Sequence, residues 1–165
     1  MNIAGMRRGM ETSENRDKRG QPDWPRWAAL YARVALGAAF LSGIADRFGL
    51  YRGRNVGYGN FAGFMRYTAK VNSFMPPSTI PFLAWAATAA ELFFGTTLIL
   101  GIWRVWVALG SAVLLILFGT AMAISFGIKS PLDYSVFSAS SAALLVTAYE
   151  SQCKSGNEPA RHARA

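Results

Sequence analysis

Four stretches of the chain are apolar for long enough to cross a bilayer, where about 20 predominantly apolar residues cover a hydrocarbon core of ~30 Å. They fall at about residues 27–49, 81–102, 105–126 and 132–149. The first contains Arg33 and ends at Asp46 and Arg47, the second has a single ionisable group, Glu91, and the third has none. Asp133 and Glu150 bracket the fourth. A soluble four-helix bundle needs a polar face on every helix, which the third and fourth stretches lack. The pattern predicts an all-α membrane protein, a four-transmembrane-helix bundle. Pro81 and the Lys129-Ser130-Pro131 stretch are its expected span starts, since proline is tolerated in a first helical turn.

The connection from Leu50 to Ile80 is too long for a simple turn and makes a long first extracytoplasmic loop. Its first part, Tyr51 to Asn60, is rich in Gly and Arg. From Asn60 to Phe74 the spacing predicts a short amphipathic helix capped by Asn60, with Phe61, Phe64, Met65 and Thr68 along one side and Arg66 and Lys70 on another. Such a helix suits the outer membrane surface or the bundle mouth. The run Gly57 to Gly63 has one residue too many for a dinucleotide fingerprint and no strand before it, so it reads as a flexible turn. Residues 1–26 and 151–165 are expected to be disordered tails flanking a membrane domain at 27–150. Residues 1–26 lack the apolar core of a cleavable signal, so the first span is expected to act as an uncleaved anchor.

Composition agrees with that plan. Of 165 residues, 52% are hydrophobic and 16% charged, against roughly 45–50% and 25% in soluble domains. The net charge of +8 suggests nucleic acid only until its distribution is read. Residues 1–26 interleave six basic with four acidic groups, and the other basic residues flank apolar runs, where positive charge meets lipid headgroups. The lipid bilayer, and no nucleic acid, is the expected partner. Ten Lys and Arg fall on the side of the two termini and six on the other, which places both termini in the cytoplasm. Trp24, Trp27, Trp103, Trp106 and Tyr149 then belong to the inner interface, with Tyr51, Trp85 and Tyr134 near the outer one.

The chain has one cysteine, Cys153, and one histidine, His162. It cannot close a disulfide on itself, and no metal site or catalytic constellation is expected. Small residues four apart let membrane helices approach closely. Ala35, Ala39 and Gly43, Ala86 and Ala90, Ala108 and Ala112, Gly119 and Ala123, and Ser135, Ala139 and Ala143 together predict a packed bundle. Ser135, Ser138 and Ser141 are expected to bond the carbonyls of the preceding turn.

The segment Arg33-Val-Ala-Leu-Gly37-Ala-Ala-Phe-Leu-Ser-Gly43, the segment Ala90-Glu91-Leu-Phe-Phe-Gly95-Thr-Thr-Leu-Ile-Leu-Gly101 with Arg104 after it, and Ser125 to Phe137 resemble the DoxX family of small four-helix membrane proteins. The likeness covers about residues 27–150. It implies a bacterial cytoplasmic (inner) membrane protein, and some relatives are subunits of quinone-linked redox complexes. The resemblance thus implies an accessory or docking subunit of such a system, with quinone as the implied cofactor and redox-enzyme subunits as implied partners. Any enzymatic role is that of an oxidoreductase subunit. The long charged N-terminal tail and Asp46-Arg47, where a single lysine is commoner, depart from the family pattern. Two other functions compete: a structural or assembly protein without chemistry of its own, and a small proton-linked carrier, for which neither internal repeats nor broken helices are found.

Ionisable groups inside spans are functional candidates by default, which singles out Arg33, Glu91 and Arg47. Glu91 falls ~15 Å from either end of its span, so it is expected to face the bundle interior. Arg33 is within axial reach, but side chains lean toward the N-terminus of their own helix and the two helices run oppositely, which argues against the pair. Arg47 leans inward yet starts ~12 Å away. Glu91 is therefore expected against the Arg33-Gly37-Phe40-Ile44 stripe, either as a structural ion-pair partner or as a titrating or ligand-binding carboxyl.

Overall fold

Proline and glycine punctuate the bundle. The computed structural model describes residues 23–51 and 57–157. Helix α1 (Trp24–Arg47) and helix α3 (Ile80–Leu100) both carry proline in the first turn, Pro25 and Pro81. Between them lie α2 (Phe61–Val71) and a single 3-10 turn at Pro77–Thr79. Gly101, at φ +71°, ends α3 by turning its N–H back to the Thr97 carbonyl, the left-handed stop that glycine adopts without a Cβ penalty. Helix α4 (Arg104–Phe126) follows at once, then α5 (Lys129–Asp133) and α6 (Val136–Asn157). Among the described residues every regular element is helical.

The fourth long helix departs from expectation. Lys129-Ser130-Pro131 starts only the one-turn α5, because the N–H groups of Tyr134 and Ser135 close it onto the Ser130 and Leu132 carbonyls. Ser135 then takes φ +55°, so the long helix begins at Val136 and runs into the region assigned to the tail. Residues 24–26 and 151–157 are helical. The rest of both tails, and residues 52–56 of the loop, lie outside the described residues. Of the serine stripe, Ser141 bonds the Phe137 carbonyl and Ser135 precedes the helix.

Among the described residues three helical stretches, Trp24–Arg47, Pro77–Leu100 and Arg104–Phe126, are long and apolar enough to cross a membrane. Helix α6 is of similar length, but Glu150, Gln152 and Lys154 make its C-terminal part polar.

Helix α1 packs most extensively on α3 and α4 on α6, while α1 against α6 and α3 against α4 close the ring. The α1–α3 contact is made by glycines: a Cβ on Gly37 would stand 2.8 Å from the Gly95 carbonyl oxygen, and one on Gly95 would stand 3.2 Å from that of Gly37. Backbones this close are what small residues permit in lipid, where apolar surface alone gives helices little reason to associate. The expected Ala35 and Ala39 stripe instead points outward, because the Arg33-Gly37-Phe40 face holds the contact. On α4 the expected pair Ala108 and Ala112 is fully buried, beside Ala143 of α6 in a core with Leu36, Phe40 and Leu98. Two rings seat on glycines of the same helix, Phe94 against Gly110 and Phe137 against Gly119. The outer faces carry exposed Tyr31, Phe93, Leu117, Ile124 and Leu145, the apolar surface that lipid covers.

Candidate functional site

Two buried ionic centres occupy opposite ends of the bundle. At the C-terminal end of α1, Arg47 Nη2 donates to both oxygens of Glu91, at 2.7 and 2.8 Å, and Nη1 donates to Thr88 Oγ1 at 3.0 Å. The Thr88 hydroxyl in turn donates a hydrogen bond to the Ala84 carbonyl one turn back. These residues follow from the register of α3, whose buried positions Ile80, Ala84, Thr88, Glu91, Gly95 and Leu98 form one stripe at helical spacing. The Gly37–Gly95 contact fixes how that stripe meets α1. Glu91 then falls beyond Phe40, against Gly43, where a Cβ would sit 3.5 Å from Glu91 Oε2. Glu91 thus lies at the far end of the Arg33-Gly37-Phe40-Ile44 face, beside Gly43, and its partner is Arg47. Its inward lean and the outward lean of Glu91 together close the axial gap.

Helix α2 covers this centre. Asn60 caps it by accepting the Gly63 N–H, and Phe64, Thr68 and Val71 turn inward while Arg66 and Lys70 stay exposed. The Phe64 ring lies 3.6 Å from the Arg47 guanidinium carbon and Tyr58 lies 5.9 Å away, so the cation is stacked as well as paired. Arg47 Nε is buried with no hydrogen-bond partner among the described residues. Neighbouring Asp46 accepts the backbone N–H groups of Gly57 and Tyr58, at 2.6 Å for Tyr58. The glycine run that reads as a flexible turn is therefore fastened to the end of α1. Burial pushes the Tyr58 phenol up to about 12, with Tyr67 adding to the effect.

The second centre joins all four long helices. Arg33 donates through Nε and Nη2 to the Leu98 carbonyl, at 3.2 and 2.9 Å, and through Nη1 to Glu150 at 3.4 Å. Leu98 needs this donor because the Ile102 N–H, which would continue the helix, bonds Thr97 instead. Gly101 makes room, since a Cβ there would run into the Arg33 guanidinium. The other Glu150 oxygen stands 3.5 Å from Arg104. A cleft of about 340 Å³ opens beside this network, with Arg26, Leu30 and Tyr149 among its walls. Trp24, Trp27, Trp103 and Trp106 ring the same end, each 61–71% exposed.

Of the residues singled out by sequence, the structure brings Arg47 and Glu91 together and keeps Arg33 apart from both. It adds Glu150, Thr88 and Asp46. Glu150 reads along the sequence only as the polar end of a span, and its partner is 117 residues away. Thr88 has one signal, its place three residues before Glu91 on the same face. Among the described residues no group of three or more His, Cys, Asp or Glu is placed to hold a metal ion.

Apolar helices ringed by tryptophans, with ionic pairs closed inside, define a helical integral membrane protein. The DoxX family model matches residues 28–126, from α1 to the end of α4. The chain belongs to the DoxX family. Comparison with curated proteins and with solved structures returns no match.

Proposed function

We propose that the protein is an accessory or docking subunit of a quinone-linked redox system in the bacterial cytoplasmic membrane, crossing it four times with both termini inside. The accessory role is carried by one observation. The two buried glutamates are committed to arginines of the same chain, Glu91 to Arg47 and Glu150 to Arg33 and Arg104, and buried Asp46 to the Gly57 and Tyr58 backbone. The redox link rests on family membership. A quinone does not fit the aromatic cluster beside Arg47. Phe64 already stacks on the guanidinium, and Phe61 is packed on Trp85 at 4.4 Å between ring centroids. Quinone therefore belongs with a partner, and this chain's part is to hold that partner in the bilayer.

Four spans are supported by the apolar part of α6, from Val136 to Tyr149, and its extensive packing on α4, and the orientation by the excess of Lys and Arg on the terminal side. A C-terminal reporter fusion active in the periplasm would overturn the orientation. For the function, purification in a mild detergent with mass spectrometry of the bound protein and quinone is the test, and a redox enzyme carrying quinone is the expected companion. The bare chain alone would instead favour a structural or assembly protein, the reading that the closed Glu91–Arg47 pair also suits.

A further inference from the structure

The cleft beside Arg33 has features that the accessory role does not use. Its walls come from α1, the start of α4 and the last turns of α6, and they bring Arg26, Arg33 and Arg104 around a single carboxylate, Glu150. That carboxylate is shared at the long distances of 3.4 and 3.5 Å, so among the lining residues three arginines face one anion, with Asp23 near Tyr149 outside the lining. Arg33 is fixed by the Leu98 carbonyl and is 8% exposed, whereas Arg104 is 57% exposed and can turn toward a ligand. The Tyr149 ring, Leu30 and Cys153 complete the walls of the cleft. The exposed tryptophans at the same end put the cleft at headgroup depth.

We propose that this cleft seats the phosphodiester of an anionic phospholipid headgroup. Arg104 and Arg26 bind the phosphate oxygens from the water side, while Arg33 supplies fixed positive charge beneath them. Leu30 and the outward face of α1 receive the upper acyl chain. Basic pockets between membrane helices at the interface recognise headgroups in this way, and arginine matches phosphate oxygens through two N–H groups at once. A free phosphate would use the same arginines. The lipid is favoured because the cleft lies among the interfacial tryptophans and has an apolar wall.

The test is lipid retention by the full-length protein in nanodiscs of phosphatidylcholine with a minority of phosphatidylglycerol, which gives the bilayer a negative surface. After extraction into mild detergent, native mass spectrometry should show phosphatidylglycerol enriched on the protein over its share of the bilayer. Arg26→Gln and Arg104→Gln should each reduce that enrichment, by about fivefold per arginine, while Arg104→Lys keeps most of it. Arg66→Gln and Lys70→Gln, at the far end, should leave it unchanged, and far-UV circular dichroism verifies that each variant folds. Retention in proportion to bilayer composition would overturn the proposal, as would enrichment lost in the α2 variants and not in the cleft variants. Stabilisation by millimolar inorganic phosphate equal to that by phosphatidylglycerol would also overturn it, marking a small-anion site.

Discussion

Replacing Glu91 tests whether it locks the bundle. In Glu91→Gln the Arg47 guanidinium keeps Thr88 and the Phe64 ring but loses the anion that its Nη2 bridges at 2.7 and 2.8 Å. Removing one partner of a buried pair costs about 3–5 kcal/mol in soluble proteins. Two effects reduce the figure here: glutamine leaves one acceptor in place, and helices separated within a bilayer find other polar partners. The expected loss is therefore about 2–3 kcal/mol. Arg47→Met should cost a similar amount, since it forfeits the Phe64 stack, worth ~0.5–2 kcal/mol, as well as the ion pair. The double variant Glu91→Met with Arg47→Met leaves neither charge buried and should lie within about 1 kcal/mol of the unaltered protein. Reversible unfolding by sodium dodecyl sulfate in mixed micelles, followed by far-UV circular dichroism, gives all three differences. The double-mutant cycle, closed with the single variant Glu91→Met, which should lose at least as much as Glu91→Gln, should return a coupling of at least about 3 kcal/mol. Additive losses, or Glu91→Gln as stable as the original, would refute the locking role and return Glu91 to the candidates for titration or ligand binding.

Gly37→Ala would force a methyl to within 2.8 Å of the Gly95 carbonyl oxygen and should cost about 1–3 kcal/mol, whereas Ala35→Leu on the outward face should change stability by less than ~0.5 kcal/mol; thermal melting in detergent separates them. Gly101→Ala should lower the melting temperature twice over, through its left-handed backbone at φ +71° and through collision with Arg33. Because the Tyr58 phenol is raised to about 12 when folded, its contribution is fully present below the unfolded value near 10 and is lost as pH rises from there through about 12. Alkaline melting curves should show that loss, and Tyr58→Phe should flatten it.

The helices were legible because long apolar runs bounded by proline leave little choice of structure, and Asn60 announced α2 through the hydrogen-bonding habit of its side chain. The rotation of one helix against another was not legible. Ala35, Ala39 and Gly43 look as good a packing stripe as Gly37 and Phe40, and only the three-dimensional contact of Gly37 with Gly95 decides between them. That one choice moved Glu91 along α1 to Arg47. The start of α6 was misplaced for a local reason: Pro131 suits a first turn, and nothing in Tyr134-Ser135 announces the left-handed residue that restarts the chain. Glu150 escaped notice as a partner because its register on α6 could not be fixed from composition.

The distribution of polar bonds gives the bundle an asymmetry of stiffness. The Arg47–Glu91 bond ties α1 to α3, which already share a glycine contact. The Arg33–Glu150–Arg104 network instead ties that pair to α6 and α4, at the tryptophan end only. At the other end the two halves are bridged by α2, resting on both α3 and α4. The molecule is built like closed tongs: its fulcrum is at Arg33, and its free ends are spanned by a helix whose own hold on α4 includes the bond from Ser125 to the Val71 carbonyl.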